Sequence, residues 1–156
     1  MSGPRGALAF LCVARYGTSG FSIGERNAVG AAVSQSNAEM VVARQLDAYN
    51  ARDIDAFMAT WRDDAQYFAH PSELLASGAA EIRARHVIRF QEPALFGRLL
   101  GRFSVGNLVV DREVVTRNFP EGRGHVDVIA IYQVEGDKIA RAWFKLGVPV
   151  LDSETS

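Results

Sequence analysis

Within the thirty residues from Val42 to Pro71, VARQLDAYNARDIDAFMATWRDDAQYFAHP, the apolar positions trace two helices, a tight turn and the opening of a strand. Ser36-Asn37-Ala38-Glu39 supplies the start of the first helix. It reads as a capping box, in which the serine hydroxyl and the glutamate carboxylate each satisfy a backbone N–H that the first turn leaves free. Val42, Leu46 and Tyr49 follow at helical spacing. Asp53 is a second N-cap, and Ile54, Phe57, Met58 and Trp61 fall at i, i+3, i+4 and i+7, so one face of the second helix is expected to be buried. Arg62-Asp63-Asp64 is expected to end that helix in a solvated turn.

A strand from Ala65 to Ala69 comes next, stopped at Pro71 because proline has no ladder N–H. A third helix is expected from Ala79 to Gln91, with Glu81 favourable in its first turn and Pro93 just past its end. The remainder is strand-like. Gly106-Asn107 is a two-residue hairpin signal between Arg102–Val105 and Leu108–Val110. Phe119 to Gly124 reads as a longer polar loop, Val126 to Val134 as a β-branched strand, Glu135 to Lys138 as a turn and Ile139 to Leu146 as the last strand. The order is helix, helix, strand, helix, then four antiparallel strands.

A chain of 156 residues that is 48% hydrophobic and 22% charged suits one α+β domain, large enough to bury roughly 70% of its unfolded surface. A formal net charge of -1 and the lack of a basic stripe interleaved with aromatics argue against nucleic acid. Cys12 stands alone, which excludes an internal disulfide framework and any CxxC motif. His70, His86 and His125 have no metal-binding spacing, and neither a GxGxxG nor a GxxxxGK run is present, so no metal and no nucleotide cofactor is expected.

Residues 1–36 differ in composition and read as a flexible leader or a start codon placed upstream of the true one. The short apolar run Ala7 to Ala14 behind Arg5 leaves a weak export signal open. Nothing approaches the ~18 apolar residues of a membrane span. A cytoplasmic domain over residues 37–147 with a tail at 148–156 is the expectation.

The segments YNARDIDAFMATWRDDAQYFAHP, GAAEIRARH and VDVIAIYQVEGDKIARAWF, taken with the element order, resemble the nuclear transport factor 2-like superfamily over about residues 38–146. That superfamily includes ketosteroid isomerases and SnoaL-type polyketide cyclases. The resemblance implies a cone-shaped fold, three N-terminal helices packed on a curved antiparallel sheet around a hydrophobic pocket. It implies fold more strongly than activity, because one pocket serves many chemistries and plain binding. The isomerases use a first-helix tyrosine, an aspartate base before the proline that ends the first strand and a protonated acid on the penultimate strand. Those positions fall here on Gln45, on Ala69 or His70, and on Ala130.

Other residues offer replacements. If Asn118 lies opposite His125, Glu113 faces Ala130 and Arg117 faces Val126, and strand alternation puts Asp111, Glu113, Val115 and Arg117 on one face with Val126, Val128, Ala130 and Tyr132. In the superfamily that face lines the pocket. Glu113 is therefore the first candidate acid or base, His86 the second and His70 the third. Tyr67 is a candidate hydrogen-bond donor. Tyr49, Tyr132 and Phe144 are candidate walls, and Gln45, Arg117, Val128 and Ala130 complete the expected substrate-binding set. Structural alternatives stay open: Glu113 paired with Arg117 in an ion pair or turned to the other face by a one-residue register slip, His86 bonded to a backbone carbonyl in the core, and His70 as a solvated turn residue. Asp127 falls on the opposite face. Val109, Ile129 and Ile131 are expected to give that second face an apolar surface, which implies a homodimer through the sheet.

Two functions follow. One is a cofactor-independent isomerase, dehydratase or cyclase acting by acid/base chemistry on a small apolar carbonyl or cyclic compound. The other is a non-catalytic ligand-binding or assembly module.

Overall fold

The computed structural model describes residues 35–153. Cys12, the apolar run at Ala7 to Ala14 and the rest of the expected leader up to Ser34 lie outside the described residues.

Helix α1 spans Asn37–Ala51 and α2 spans Ile54–Met58. Each begins at the side chain that its sequence singles out. The Ser36 hydroxyl accepts from the Glu39 N–H at 3.2 Å, and the Asp53 carboxylate accepts from the Asp55 and Ala56 N–H groups at 3.1 and 3.0 Å. The second half of the capping box is not made, because the Glu39 carboxylate accepts instead from the Ser104 hydroxyl. Arg52, in the left-handed conformation at φ 54°, closes α1, and its N–H reaches back to the carbonyls of Ala48 and Tyr49.

Strand β1 runs Trp61–Ala69, four residues earlier than the expected start. Trp61 is thus the first residue of a strand and not the last of a helix, and Arg62-Asp63-Asp64 is no turn. Parallel pairing recruits it, since Trp61 lies beside Ile139 and the Ile139 N–H donates to the Thr60 carbonyl at 2.8 Å. Arg62 then satisfies its charge against Asp64 and Glu135 at 2.8 and 2.6 Å. After the cis His70-Pro71 bond the chain turns into a short strand β2, Glu73–Ser77, that no apolar alternation announces. Helix α3 follows over Ala79–Arg89.

The remaining strands are β3 (Phe96–Val105), β4 (Leu108–Phe119), β5 (Gly122–Glu135), β6 (Lys138–Leu146) and β7 (Val150–Leu151). The sheet order is β2-β1-β6-β5-β4-β3, antiparallel except for the β1–β6 pair, with β7 added to the end of β5. The result is the expected α+β class, three helices ahead of a curved, largely antiparallel sheet. Residues 150–151, placed in the tail by the sequence reading, extend that sheet. Gly124 is what lets them do so: a Cβ there would sit 2.3 Å from the Val150 carbonyl oxygen, inside any real contact.

The hairpin turns at Gly106-Asn107 and Gly136-Asp137 are as short as their sequences imply, and both glycines have positive φ, 59° and 64°. The Phe119 to Gly124 loop is different. It tightens to Pro120-Glu121, with Phe119 opposite Gly122, which slides the β4–β5 register by two residues from the expected one. Glu113 faces Val128, Asp111 faces Ala130 and Arg117 faces Gly124. A two-residue slide changes partners but keeps faces, because side chains alternate with period two.

Inward positions alternate along β4 and β5 (Val109, Asp111, Glu113, Val115; Val126, Val128, Ala130, Tyr132), and they meet Val41, Val42, Leu46 and Phe57 from the helices. Val109, expected on the outer face, is fully buried on the inner one. The outer face carries Ile129, Ile131 and a Phe68–Trp143 stack with ring centroids 5.6 Å apart. Among the described residues no helix is long and apolar enough to cross a membrane.

Candidate functional site

Between the helices and the inner face of the sheet lies a cavity of about 440 Å³, the size of a pocket for a small organic molecule. Helix α1 contributes Gln45, Leu46 and Tyr49, and α3 contributes Arg85, His86 and Arg89. Strands β1 and β2 and the link between them supply Tyr67, Ala69, His70 and Leu75. The floor is Glu113, Val115 and Arg117 of β4, Val126, Val128 and Tyr132 of β5, and Phe144, Lys145 and Leu146 of β6. All three candidate catalytic residues, Glu113, His86 and His70, therefore border one space, as do Gln45, Tyr49, Tyr67, Arg117, Val128, Tyr132 and Phe144. Ala130 does not. It is fully buried beneath the floor, and the carboxylate opposite it is Asp111.

Glu113 is 6% exposed and one of its carboxyl oxygens, Oε1, is buried without a hydrogen-bond partner. Burial raises its pKa, the Asp111 charge raises it further, Arg102 partly opposes both, and the result is about 7. A carboxyl group poised there can take up or release a proton near neutrality. The ion pair with Arg117 that the sequence left open is not made. The arginine that answers this strand is Arg102 of β3, whose guanidinium donates two hydrogen bonds of 2.7 Å to Asp111. Two residues apart on one face, Asp111 is thus bonded to an arginine through both oxygens, while Glu113 keeps one oxygen without a partner. The backbone makes room for it at Gly97, where a Cβ would lie 3.6 Å from Glu113 Oε2 and 3.1 Å from Leu46 Cδ1. Asn50 fixes Gly97 in place, accepting from its N–H at 2.7 Å and donating to its carbonyl at 2.9 Å.

His86 packs among Phe57, Tyr67 and Phe90, with ring centroids 4.4, 5.6 and 5.8 Å away. Its Nδ1 lies 2.8 Å from the Ile82 carbonyl oxygen. A carbonyl only accepts, so Nδ1 carries the proton and Nε2 holds a lone pair. Burial pushes its pKa down to about 4, the carbonyl bond opposing and the neighbouring Arg85 and Arg89 charges adding to the fall. His86 is thus a neutral acceptor at physiological pH rather than a cationic acid. It joins the two open readings: a backbone-bonded core histidine that also borders the cavity. His70 is exposed at the rim, where its backbone N–H donates to the Phe144 carbonyl at 2.9 Å. Burial raises the pKa values of Tyr49, Tyr67 and Tyr132, so their phenols stay protonated. Tyr67 stacks on Phe144 at 4.4 Å and continues the apolar wall.

The sequence patterns put Asp111 on the pocket face without a role and do not single out Arg102, Arg85 or Arg89, though signals for Arg102 and Arg89 exist. Counting four residues outward from the Gly106-Asn107 turn sets Arg102 opposite Asp111, as observed. Arg89 lies three residues after His86 on α3 and so shares its face. Among the described residues no group of three or more His, Cys, Asp or Glu side chains is placed to hold a metal ion.

Residues 42–142 match the family model described as SnoaL-like domain. An uncharacterized cystatin-fold protein from Novosphingobium aromaticivorans is 30% identical over 72% of this chain and 99% of its own, with a TM-score of 0.65. A SnoaL-like polyketide cyclase from Agrobacterium tumefaciens is 20% identical over 72% of this chain and 93% of its own, with a TM-score of 0.61. For a nuclear transport factor 2-like protein of unknown function from Burkholderia pseudomallei the figures are 14%, 72%, 92% and 0.62. The last two similarities speak to fold alone. No curated protein matches the chain. The family match and the layered architecture agree, and the chain belongs to the SnoaL-like domain family of the nuclear transport factor 2-like superfamily.

Proposed function

We propose that the domain moves a proton on a small, largely apolar carbonyl or cyclic compound, as an isomerase, dehydratase or cyclase without a cofactor, with Glu113 as the acid/base. The observation that carries this reading is the Glu113 carboxyl itself, buried at the cavity floor with one oxygen unpartnered and a pKa near 7. As the carboxylate it removes a proton next to a carbonyl. As the acid it returns that proton at another carbon or to a leaving hydroxyl. The Tyr67 phenol, protonated throughout, donates to the developing oxyanion, and the His86 lone pair accepts from a substrate hydroxyl. The apolar walls keep bulk water from competing for the proton.

Exchange of the α-hydrogens of 2-tetralone for deuterium, followed by NMR, tests this. Glu113→Gln is expected to slow exchange by about 10²-fold or more, the scale of a lost general base. Exchange equal in the variant and the wild type refutes the assignment.

A second reading is a binding module of the same fold, and one observation favours it. His86 has committed Nδ1 to the backbone and stays neutral, so no cationic acid faces Glu113 from α3. Tight 2-tetralone binding without exchange supports that reading. We further infer that the outer face, with Ile129, Ile131 and the Phe68–Trp143 stack, is covered by a second copy, which sedimentation tests directly.

A further inference from the structure

The two ends of the cavity differ in charge. At the inner end Glu113 meets Gln45 and Tyr132; at the other end Arg85, Arg89 and Arg117 converge from α3 and β4. Glu113 and Arg117 are four residues apart on one face of β4, which separates their backbones by about 13 Å. Among the described residues only one acid answers the arginines: Glu92 pairs with Arg89 at 3.0 Å, while Arg85 and Arg117 enter no ion pair.

Both unpaired guanidiniums are held by their faces. Arg85 lies with its Cζ 5.5 Å from the centre of the Tyr67 ring, and Arg117 with its Cζ 4.8 Å from that of Phe119. Stacking of this kind occupies the π-face of the guanidinium and leaves N–H donors along its edge, of which Arg85 shares one with the Tyr67 phenol. The Nε of Arg117 is moreover buried with no acceptor, a costly state for a charged donor. Burial, and then the charge of Arg89, hold the Arg117 pKa below the usual arginine value, with Tyr49 and Glu92 opposing in part.

We infer that this end of the cavity is a carboxylate-binding subsite, formed by Arg117 and Arg85 with Arg89 behind them, and that the ligand is an apolar organic acid rather than a neutral compound. The inference rests on the proposed function only in taking the same cavity as the ligand site. The forked edge of a guanidinium matches the two oxygens of a carboxylate. The two oxygens of one carboxylate can engage both unpaired arginines, and the apolar stretch between Arg117 and Glu113, with Val115, Val126 and Val128, takes the hydrocarbon body. The acid thus anchors the molecule at one end and presents its far carbons to Glu113.

Calorimetric titration with 2-naphthoate, its neutral amide 2-naphthamide and 2-naphthyl phosphate tests the inference. Naphthoate is expected to bind about tenfold or more tightly than the amide, the scale of a charge-assisted hydrogen bond. Added salt should weaken naphthoate and leave the amide unchanged. Arg117→Met and the more exposed Arg85→Met should each reduce the preference, and together abolish it. Equal affinity for naphthoate and the amide overturns the inference, as does absence of naphthoate binding or a preference that survives the double substitution. Tighter binding of the phosphate than of naphthoate overturns the assignment to a carboxylate. The outcome is separate from the exchange assay: loss of the carboxylate preference leaves Glu113 chemistry standing, and unchanged exchange in Glu113→Gln leaves the subsite standing.

Discussion

Asp111 and Glu113 sit on the same face of β4, two residues apart, and both are almost wholly withdrawn from water. Asp111 has a guanidinium across the β3–β4 ladder and is bonded through both of its oxygens. Glu113 borders the cavity, has the Asp111 carboxylate beside it and keeps one oxygen without a partner. Chemically similar groups in nearly equal burial thus end in different company, one bonded to a guanidinium through both oxygens, the other with an unpartnered oxygen and a raised pKa. What separates them is the polar company that the neighbouring strands provide. A satisfied buried charge serves the fold, and an unsatisfied one is free to act on a ligand.

Removing Arg102 breaks the contrast most sharply. Arg102→Met leaves the Asp111 carboxylate buried without its cation, and unfolding in urea should show a loss of ~3–5 kcal/mol. An unchanged midpoint would mean that the pair anchors nothing. Replacing both members by apolar residues of similar size should recover most of that loss.

Next in size is the pH response of Glu113. Its pKa rises from 4.5 to about 7 on folding, so between those values the folded state binds more protons than the unfolded one. Stability tied to this residue is complete below pH 4.5 and is lost as pH rises to 7, by ~3 kcal/mol. Glu113→Gln should therefore match the wild type in acid and exceed it at pH 8. A variant less stable than the wild type at pH 8 would show that the carboxylate is well solvated after all.

His86 sharpens the comparison with the opposite sign. Its pKa falls from 6.5 to about 4, so the unfolded state binds more protons in that window and stability is lost as pH falls through it. The effect is again ~3 kcal/mol and largely offsets that of Glu113 where the windows overlap. The wild-type profile between pH 4.5 and 6.5 should be flatter than that of either His86→Gln or Glu113→Gln. Steeper wild-type behaviour would remove the offset.

The smallest expected effect is at Arg117. Its Nε has no acceptor and its charge is crowded by Arg89, so Arg117→Met should shift stability by less than about 1 kcal/mol in either direction. A loss as large as that of Arg102→Met would place Arg117 with the structural charges.

Much of this architecture is local and legible. Ser36 and Asp53 cap helices where their side chains dictate, and Gly106 and Gly136 make two-residue turns because they tolerate positive φ. What misleads is pairing at a distance. Trp61 completes a helical pattern, yet parallel pairing with Ile139 draws it into β1. β2 exists because β1 offers it a ladder, not because its own residues alternate. Pro120-Glu121 tightens a segment whose polar composition reads as a longer loop, and the whole β4–β5 register moves with it.

The sequence by itself determined the fold class and the face on which Glu113 lies. Apolar period and parity are properties of consecutive residues, and parity survives a two-residue slide. Only the tertiary structure decided which carboxylate meets a guanidinium and which has its pKa raised. Those states depend on Arg102 across one strand and on the cavity above the other side chain, and solvation and Coulomb interaction act through space, not along the chain.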